Sequence, residues 1–197
     1  MKVVLASASP RRKELLKEVF PAFEILPAKG EEKAEETLSP KELVVALARQ
    51  KAEEVFSALS DQDHLVLGAD TVVSYEGKVL GKPKDEQEAK EMLTALSGNK
   101  HEVLTGVCFC FFDKDGTRKT ITAYDRTEVE FHPLSPTFIE RYVQSGSPMD
   151  KAGGYGIQDG GLVKEIHGSY SNVVGLPVEL CQTIKAQIFE SSEVHYD

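Results

Sequence analysis

Two arginines, Arg11 and Arg12, follow Ser7-Ala8-Ser9-Pro10 at the expected first turn of a helix. Ser9 suits the N-cap and Pro10 the first helical position. Unpaired N–H groups and the dipole at a helix start disfavour cations there, by a few tenths to about 1 kcal/mol each. An anion seated between the arginines and the backbone amides would reverse that cost and make the turn a phosphate cradle. The alternative is that both side chains swing into solvent. Neither GxxxxGK[ST] nor GxGxxG occurs, so a Walker loop and a dinucleotide fingerprint are both absent from the sequence.

Lys51 is the second candidate. On a helical wheel of residues 40–59, Leu43, Val44, Leu47, Val55 and Leu59 form an apolar arc, and Lys51 falls inside it. Either its stem snorkels at the arc's wet edge, or its ammonium points into a cleft at an anion. Asp70 interrupts Val66-Leu67-Gly68-Ala69 and Val72-Val73, whose side chains should be buried. A carboxylate there needs a cation, hydrogen bonds or a cleft, and a strand-end acid beside phosphates suits a general base or metal ligand. A turn-capping aspartate is the plainer alternative. Lys82, in Gly81-Lys82-Pro83, offers another cation. Asp150-Lys151-Ala152-Gly153-Gly154-Tyr155-Gly156-Ile157-Gln158 combines a lysine with clustered glycines that permit close backbone approach, and Gln158 has the paired donor and acceptor to read a base edge. Composition alone equally describes a flexible loop. The five histidines show no metal-ligand spacing, so a His-based zinc site or Ser-His-Asp triad has no support.

The elements that must position these groups alternate in type. Residues 2–6 read as a buried strand, followed by a helix from Pro10 to about Phe20. Residues 30–36 form an acidic loop, and Ser39-Pro40-Lys41-Glu42 is a capping box opening a helix to about Leu59. A short strand at 65–69 leads into Asp70-Thr71, and Glu76-Gly77 turns the chain back through 78–80. Asp85 caps a helix that Gly98 stops; strands 101–112 and 117–132 flank a hairpin turn at 113–116; Ser135-Pro136 opens a helix to about Gln144. A strand near 162–167 and a helix starting at Pro177 follow, and residues 190–197 read as a frayed tail. Interleaved helices and strands with at least two hairpins predict an α/β fold built on a mixed sheet, in one domain spanning 1–189.

Bulk properties narrow the partners. With 197 residues, 41% apolar and 28% charged, the chain can bury one substantial core. A net charge of −9 argues against a nucleic-acid surface, whereas a small phosphate ligand needs only local cations. Apolar runs fall far short of a membrane span, and the first residues lack a signal-peptide layout, so a cytoplasmic protein is expected. The three cysteines form no CxxC pair and are read as core residues.

SASPRRKELL, the lysine of ALARQKA, GADTVV, LGKP, the LSG-to-TGV segment, PMDKAGGYGIQ and GSYSNVVGLP, in that order from residue 3 to about 180, resemble the Maf family of nucleotide pyrophosphatases. Gly154, where that family more often carries Ala, is a small departure. The resemblance implies a twisted mixed α/β sheet in two lobes with a central cleft, often as a homodimer. It implies hydrolysis of a nucleoside triphosphate to the monophosphate and pyrophosphate with a divalent metal, Mg²⁺ or Mn²⁺. By matching positions, Ser7, Ser9, Arg12, Lys51, Lys82 and Lys151 would hold substrate. Asp70 would accept the proton of water and contact the metal, with Glu32 (or its neighbour Glu31) as a further metal-site acid. Arg11, Thr71 and Gln158 fall at positions that separate subfamilies and look like the dTTP/UTP branch rather than the 7-methyl-GTP branch. A nucleotide-binding regulator of septum formation without turnover, and a phosphatase releasing only the γ-phosphate, are the competing readings.

Overall fold

The computed structural model describes residues 1–31, 37–60 and 63–190. Strand β1 (Lys2–Leu5) runs parallel to β2 (Glu24–Ile25) on one side and to β3 (His64–Tyr75) on the other. The remaining pairings are antiparallel: β4 (Lys78–Leu80) on β3, then β5 (Lys100–Phe112), β6 (Arg118–Phe131) and β7 (Val163–His167). The resulting sheet has the order β2-β1-β3-β5-β6-β7, with β4 as an extra strand on β3. This is the mixed α/β architecture expected from the sequence.

Helices begin where short polar side chains satisfy orphan N–H groups. Ser9, Ser39 and Ser135 cap α1 (Pro10–Leu16), α2 (Pro40–Ala58) and α4 (Pro136–Gln144), each with proline at the first position, and Asp85 caps α3 (Glu86–Leu96). The Glu42 carboxylate accepts in return from the Ser39 N–H, completing the capping box. Besides three short 3-10 turns between residues 147 and 159, two elements were not predicted: the two-residue β2 and the short α5 (Tyr170–Val174), which precedes α6 (Val178–Glu190). Residues 191–197, read as a tail, lie outside the described residues.

Two sequence expectations need correction. The first helix stops at Leu16 rather than near Phe20. Glu18 and Val19 instead donate to Leu15 and Leu16, three residues back, in a tightened final turn. Pro21 disfavours helical geometry at Phe20, and Val19 and Phe20 turn into the core. Asp70, in turn, does not sit at a strand end. Strand β3 runs straight through it, because long β5 pairs with β3 from Leu65 to Ser74 and places Gly106 opposite Asp70.

Alternation along β3 distributes the core. Leu65, Leu67 and Ala69 face a cluster with Leu5, Leu16, Phe109 and α6, whereas Val66 faces Ala48, Ala52 and Val55 of α2. A third cluster joins Val73, Val103 and Phe131 to α3, α4 and Tyr155. All three cysteines are buried thiols in these clusters, as read from the sequence. Helix α2 lies unusually close to the sheet. A Cβ on Gly68 would stand 2.3 Å from the Ala48 carbonyl oxygen, and one on Gly106 2.3 Å from that of Val44. These two glycines let helix backbone rest on strand backbone, and the separation of Lys51 from Asp70 is set there.

Candidate active site

Strand β1 covers one edge of β3 only from His64 to Leu67, and β4 covers that edge only from Val73 to Tyr75. Between them, residues 68–72 of β3 have no strand partner on that side among the described residues. Asp70 and Thr71 project from this gap to opposite faces of the sheet. Around it lies a cleft of about 500 Å³, bounded by the start of α1, one flank of α2, the turn after β4 and the loop following α4.

Five cationic side chains line the cleft: Arg11, Arg12, Lys51, Lys82 and Lys151. Among the described residues the only carboxylates lining it are Asp70 and Asp150. Leu43, Leu47, Val73, Val79 and Val103 supply apolar wall, the mixture expected of a small-molecule site.

Lys51 emerges from α2 between Leu47 and Val55 and forms an ion pair with Asp70 Oδ1. Both are largely buried, with side chains only 16% and 12% exposed, so removing either would strand a partly desolvated charge. Of the two readings of Lys51, the ammonium in a cleft is the one observed. Arg12 does not swing into solvent. Its Nε donates to the Gly175 carbonyl at 2.8 Å, Nη2 to Thr71 Oγ1 at 3.1 Å and Nη1 to Ser7 Oγ at 3.4 Å. Ser9 caps α1 at the cleft wall, whereas Ser7 stands behind it, accepting from Arg12 and from the Ser9 N–H. Arg11 reaches across the cleft mouth to Asp150 Oδ2 at 3.1 Å. Burial pushes the Asp150 carboxyl up, but hydrogen bonds from Lys151 and Arg11 outweigh it and hold its pKa below the ordinary value.

The Gly-rich stretch is well tied rather than slack. Lys151 Nζ donates to the Ser147 carbonyl at 2.6 Å and pairs with Asp150 Oδ1 at 2.9 Å. Its charge is therefore largely satisfied within its own loop. Asp159 Oδ2 accepts from Tyr142 Oη at 2.6 Å and Ser147 Oγ at 2.7 Å. Burial and the Asp159 carboxylate both raise the Tyr142 pKa, keeping that hydroxyl protonated as a donor. Gln158, next to this anchor, lines the cleft. Lys82 also lines it and makes no ion pair among the described residues. Glu32 lies outside the described residues, and Glu31 is exposed.

Residues 2–187 match the family described as Maf-like protein. This chain belongs to the Maf family. Among its relatives are proteins that carry the name dTTP/UTP pyrophosphatase. One, from Agathobacter rectalis, is 51% identical over 89% of this chain and 92% of its own length. Another, from Bacillus cereus strain AH820, is 51% identical over 90% of each. The solved structure of a HAM1 protein from Coxiella burnetii superposes with a TM-score of 0.50 over 95% of this chain and 99% of that one, at 16% identity, a likeness of fold alone.

The fold thus brings Ser9, Arg11, Arg12, Lys51, Asp70, Thr71, Lys82, Lys151 and Gln158 of this Maf protein to one cleft, from segments far apart in sequence. Sequence reasoning missed Asp150 as Arg11's partner, because an acid has no evident place in an anion site. It also missed Gly175, whose carbonyl fixes Arg12 and whose position depends on the unforeseen α5.

Proposed function

We propose that this chain hydrolyses dTTP and UTP to the monophosphate and pyrophosphate, with Asp70 as the general base. The observation that supports it most is the buried Lys51–Asp70 pair at the sheet gap, inside a cleft where cations outnumber acids. The polyphosphate would lie along Arg12, Lys51 and Lys82, with Ser9 at the rim. The base would enter between the apolar wall and Gln158, with Arg11 and Thr71 nearby. One Asp70 oxygen accepts from Lys51, leaving the other to take a proton from water. That water attacks the α-phosphorus, the bond to the α,β-bridging oxygen breaks, and pyrophosphate carries away the electron pair. Fixed cations stabilise charge building on the phosphate oxygens without reorganising at the moment of reaction.

Among the described residues no three His, Cys, Asp or Glu side chains converge into a metal cage. A hard Mg²⁺ or Mn²⁺ ion suits this site differently, through one carboxylate, waters and the substrate's own phosphates. Asp70 would be its protein ligand, with Glu32 as a further acid proposed from sequence. When bound, such an ion would neutralise phosphate charge. No described helix is long and apolar enough to cross a membrane.

The test is a panel of nucleoside triphosphates with Mg²⁺ or Mn²⁺ and chromatographic product analysis. The expected products are pyrophosphate and monophosphate, formed fastest from dTTP and UTP. Orthophosphate with a diphosphate product would defeat the reaction assignment. A purine triphosphate favoured tenfold or more, about 1.4 kcal/mol of transition-state preference, would defeat the base assignment.

A further inference from the structure

Behind Arg12 a polar chain runs from the cleft wall into the interior. Arg12 Nη2 donates to Thr71 Oγ1 at 3.1 Å, and Thr71 Oγ1 stands 2.9 Å from Thr105 Oγ1 on β5. Thr105 Oγ1 in turn lies 2.9 Å from the Asn172 carbonyl oxygen. A carbonyl only accepts, so the single Thr105 proton goes to Asn172. The Thr71–Thr105 bond then requires the Thr71 proton. Only this assignment satisfies all three bonds at once. Thr71 has no proton left for a ligand, and it presents a lone pair to Arg12.

The far end of the chain is firmly held. Asn172 is fully buried, and its Nδ2 donates to the Val103 carbonyl and to Thr127 Oγ1, both at 3.0 Å. Ser169 caps its backbone N–H, and Thr127, itself fully buried, ties Ser169 to β6. The same short helix ends at Gly175, whose carbonyl receives Arg12 Nε. Two of the bonds on the guanidinium thus trace to α5, one directly and one through Thr105 and Thr71.

We infer that Thr105 is a positioning residue of this site: it fixes the Thr71 hydroxyl as an acceptor and so aims Arg12 at the polyphosphate. The inference rests on the proposed role of Arg12 as a phosphate anchor. It also assigns Thr71, a position expected to govern base preference, an action through Arg12 rather than a donor bond to the base.

The experiment compares Thr105→Val, which keeps the shape and removes the hydroxyl, with Thr105→Ser, Thr71→Val and the Thr71→Val/Thr105→Val double variant. Readouts are KM and kcat for dTTP and the competitive inhibition constant of inorganic tripolyphosphate, which has no base. Thr105→Val is expected to weaken both ligands alike, by about five- to tenfold, the scale of one neutral hydrogen bond, with kcat within twofold. Thr105→Ser should restore both constants, and the double variant should be no worse than Thr71→Val alone. If Thr105→Val does not fold, Thr71→Val carries the same expectation by itself. The inference is overturned if either Val variant weakens dTTP but not tripolyphosphate, if the two substitutions add independently, or if Thr105→Ser is as impaired as Thr105→Val. Wild-type protein that binds tripolyphosphate without hydrolysing dTTP would sink the proposed reaction while leaving this inference open to the binding readout.

Discussion

Replacing Asp70 by Asn changes one atom and removes the proposed proton acceptor without emptying the space it fills. The amide oxygen can still accept from Lys51 Nζ, so the geometry at the sheet gap should survive. What is lost is the negative charge opposite a lysine that is only 16% exposed. Weakening, rather than deleting, that partner should cost about 1 kcal/mol, or roughly 2–4 °C in Tm for a chain of this size. Catalysis should suffer far more. A positioned general base contributes about 10²–10⁴-fold, so turnover should fall by that factor, or about 3–5 kcal/mol in barrier. Binding should move the opposite way when metal is chelated, since deleting an acid from an anion cleft removes repulsion. The assay is pyrophosphate release under saturating dTTP, paired with calorimetric titration of dTTP in EDTA. A turnover loss below tenfold in folded protein that still binds dTTP would falsify the assignment of Asp70 as the base.

Two further predictions concern the frame. Gly106→Ala places a Cβ 2.3 Å from the Val44 carbonyl oxygen, so α2 must lift. Urea unfolding should show a loss of about 1–3 kcal/mol together with reduced turnover, and a stability change under 0.5 kcal/mol would contradict the close approach of helix and sheet. Burial lowers the His101 pKa from 6.5 to about 4, so the folded protein keeps this ring neutral while the unfolded chain protonates it. Stability is therefore unaffected by His101 above about pH 6.5 and declines as pH falls toward 4, by about 3 kcal/mol in total. His101→Gln, which retains a polar group beside Tyr155, should show a shallower acid-side decline in urea midpoints; parallel curves for the two proteins would refute the assignment.

Much of the scaffold was legible because its signals are local. A serine followed by proline begins an α-helix by its own hydrogen bond and ring geometry at three of the four such sites; the fourth, Ser147-Pro148, lies in a short 3-10 turn with no side-chain cap. Helical spacing put Lys51 inside the apolar arc but left its ammonium open between the wet edge and a cleft, and the pairing with Asp70 decides it. The errors arose where neighbours in space outweigh neighbours in sequence. Asp70 looked like a strand end because it breaks an apolar run, yet β5 pairs the backbone on both sides of it regardless of side-chain polarity. Pro21 shortens α1 from outside it. Thr105 and Asn172 lie in segments that carry the family resemblance, yet nothing in the sequence joins them or Thr127 to Arg12, because a threonine in a strand or an asparagine in a short turn is ordinary until its contacts are known. Arg11 was identified, but its partner Asp150, 139 positions away, could be found only by folding the chain.

Main-chain contact at Gly68 and Gly106 gives the lysine and the acid a common datum that no side-chain rearrangement elsewhere can easily shift. Substitutions beneath α1, α6 or α4 can loosen the molecule while the gap between ammonium and carboxylate keeps its span. The proposed pocket for the base shares α2, β3 and β5 with that frame, so its loop side, around Gln158, is the part open to alteration without retuning the chemical step.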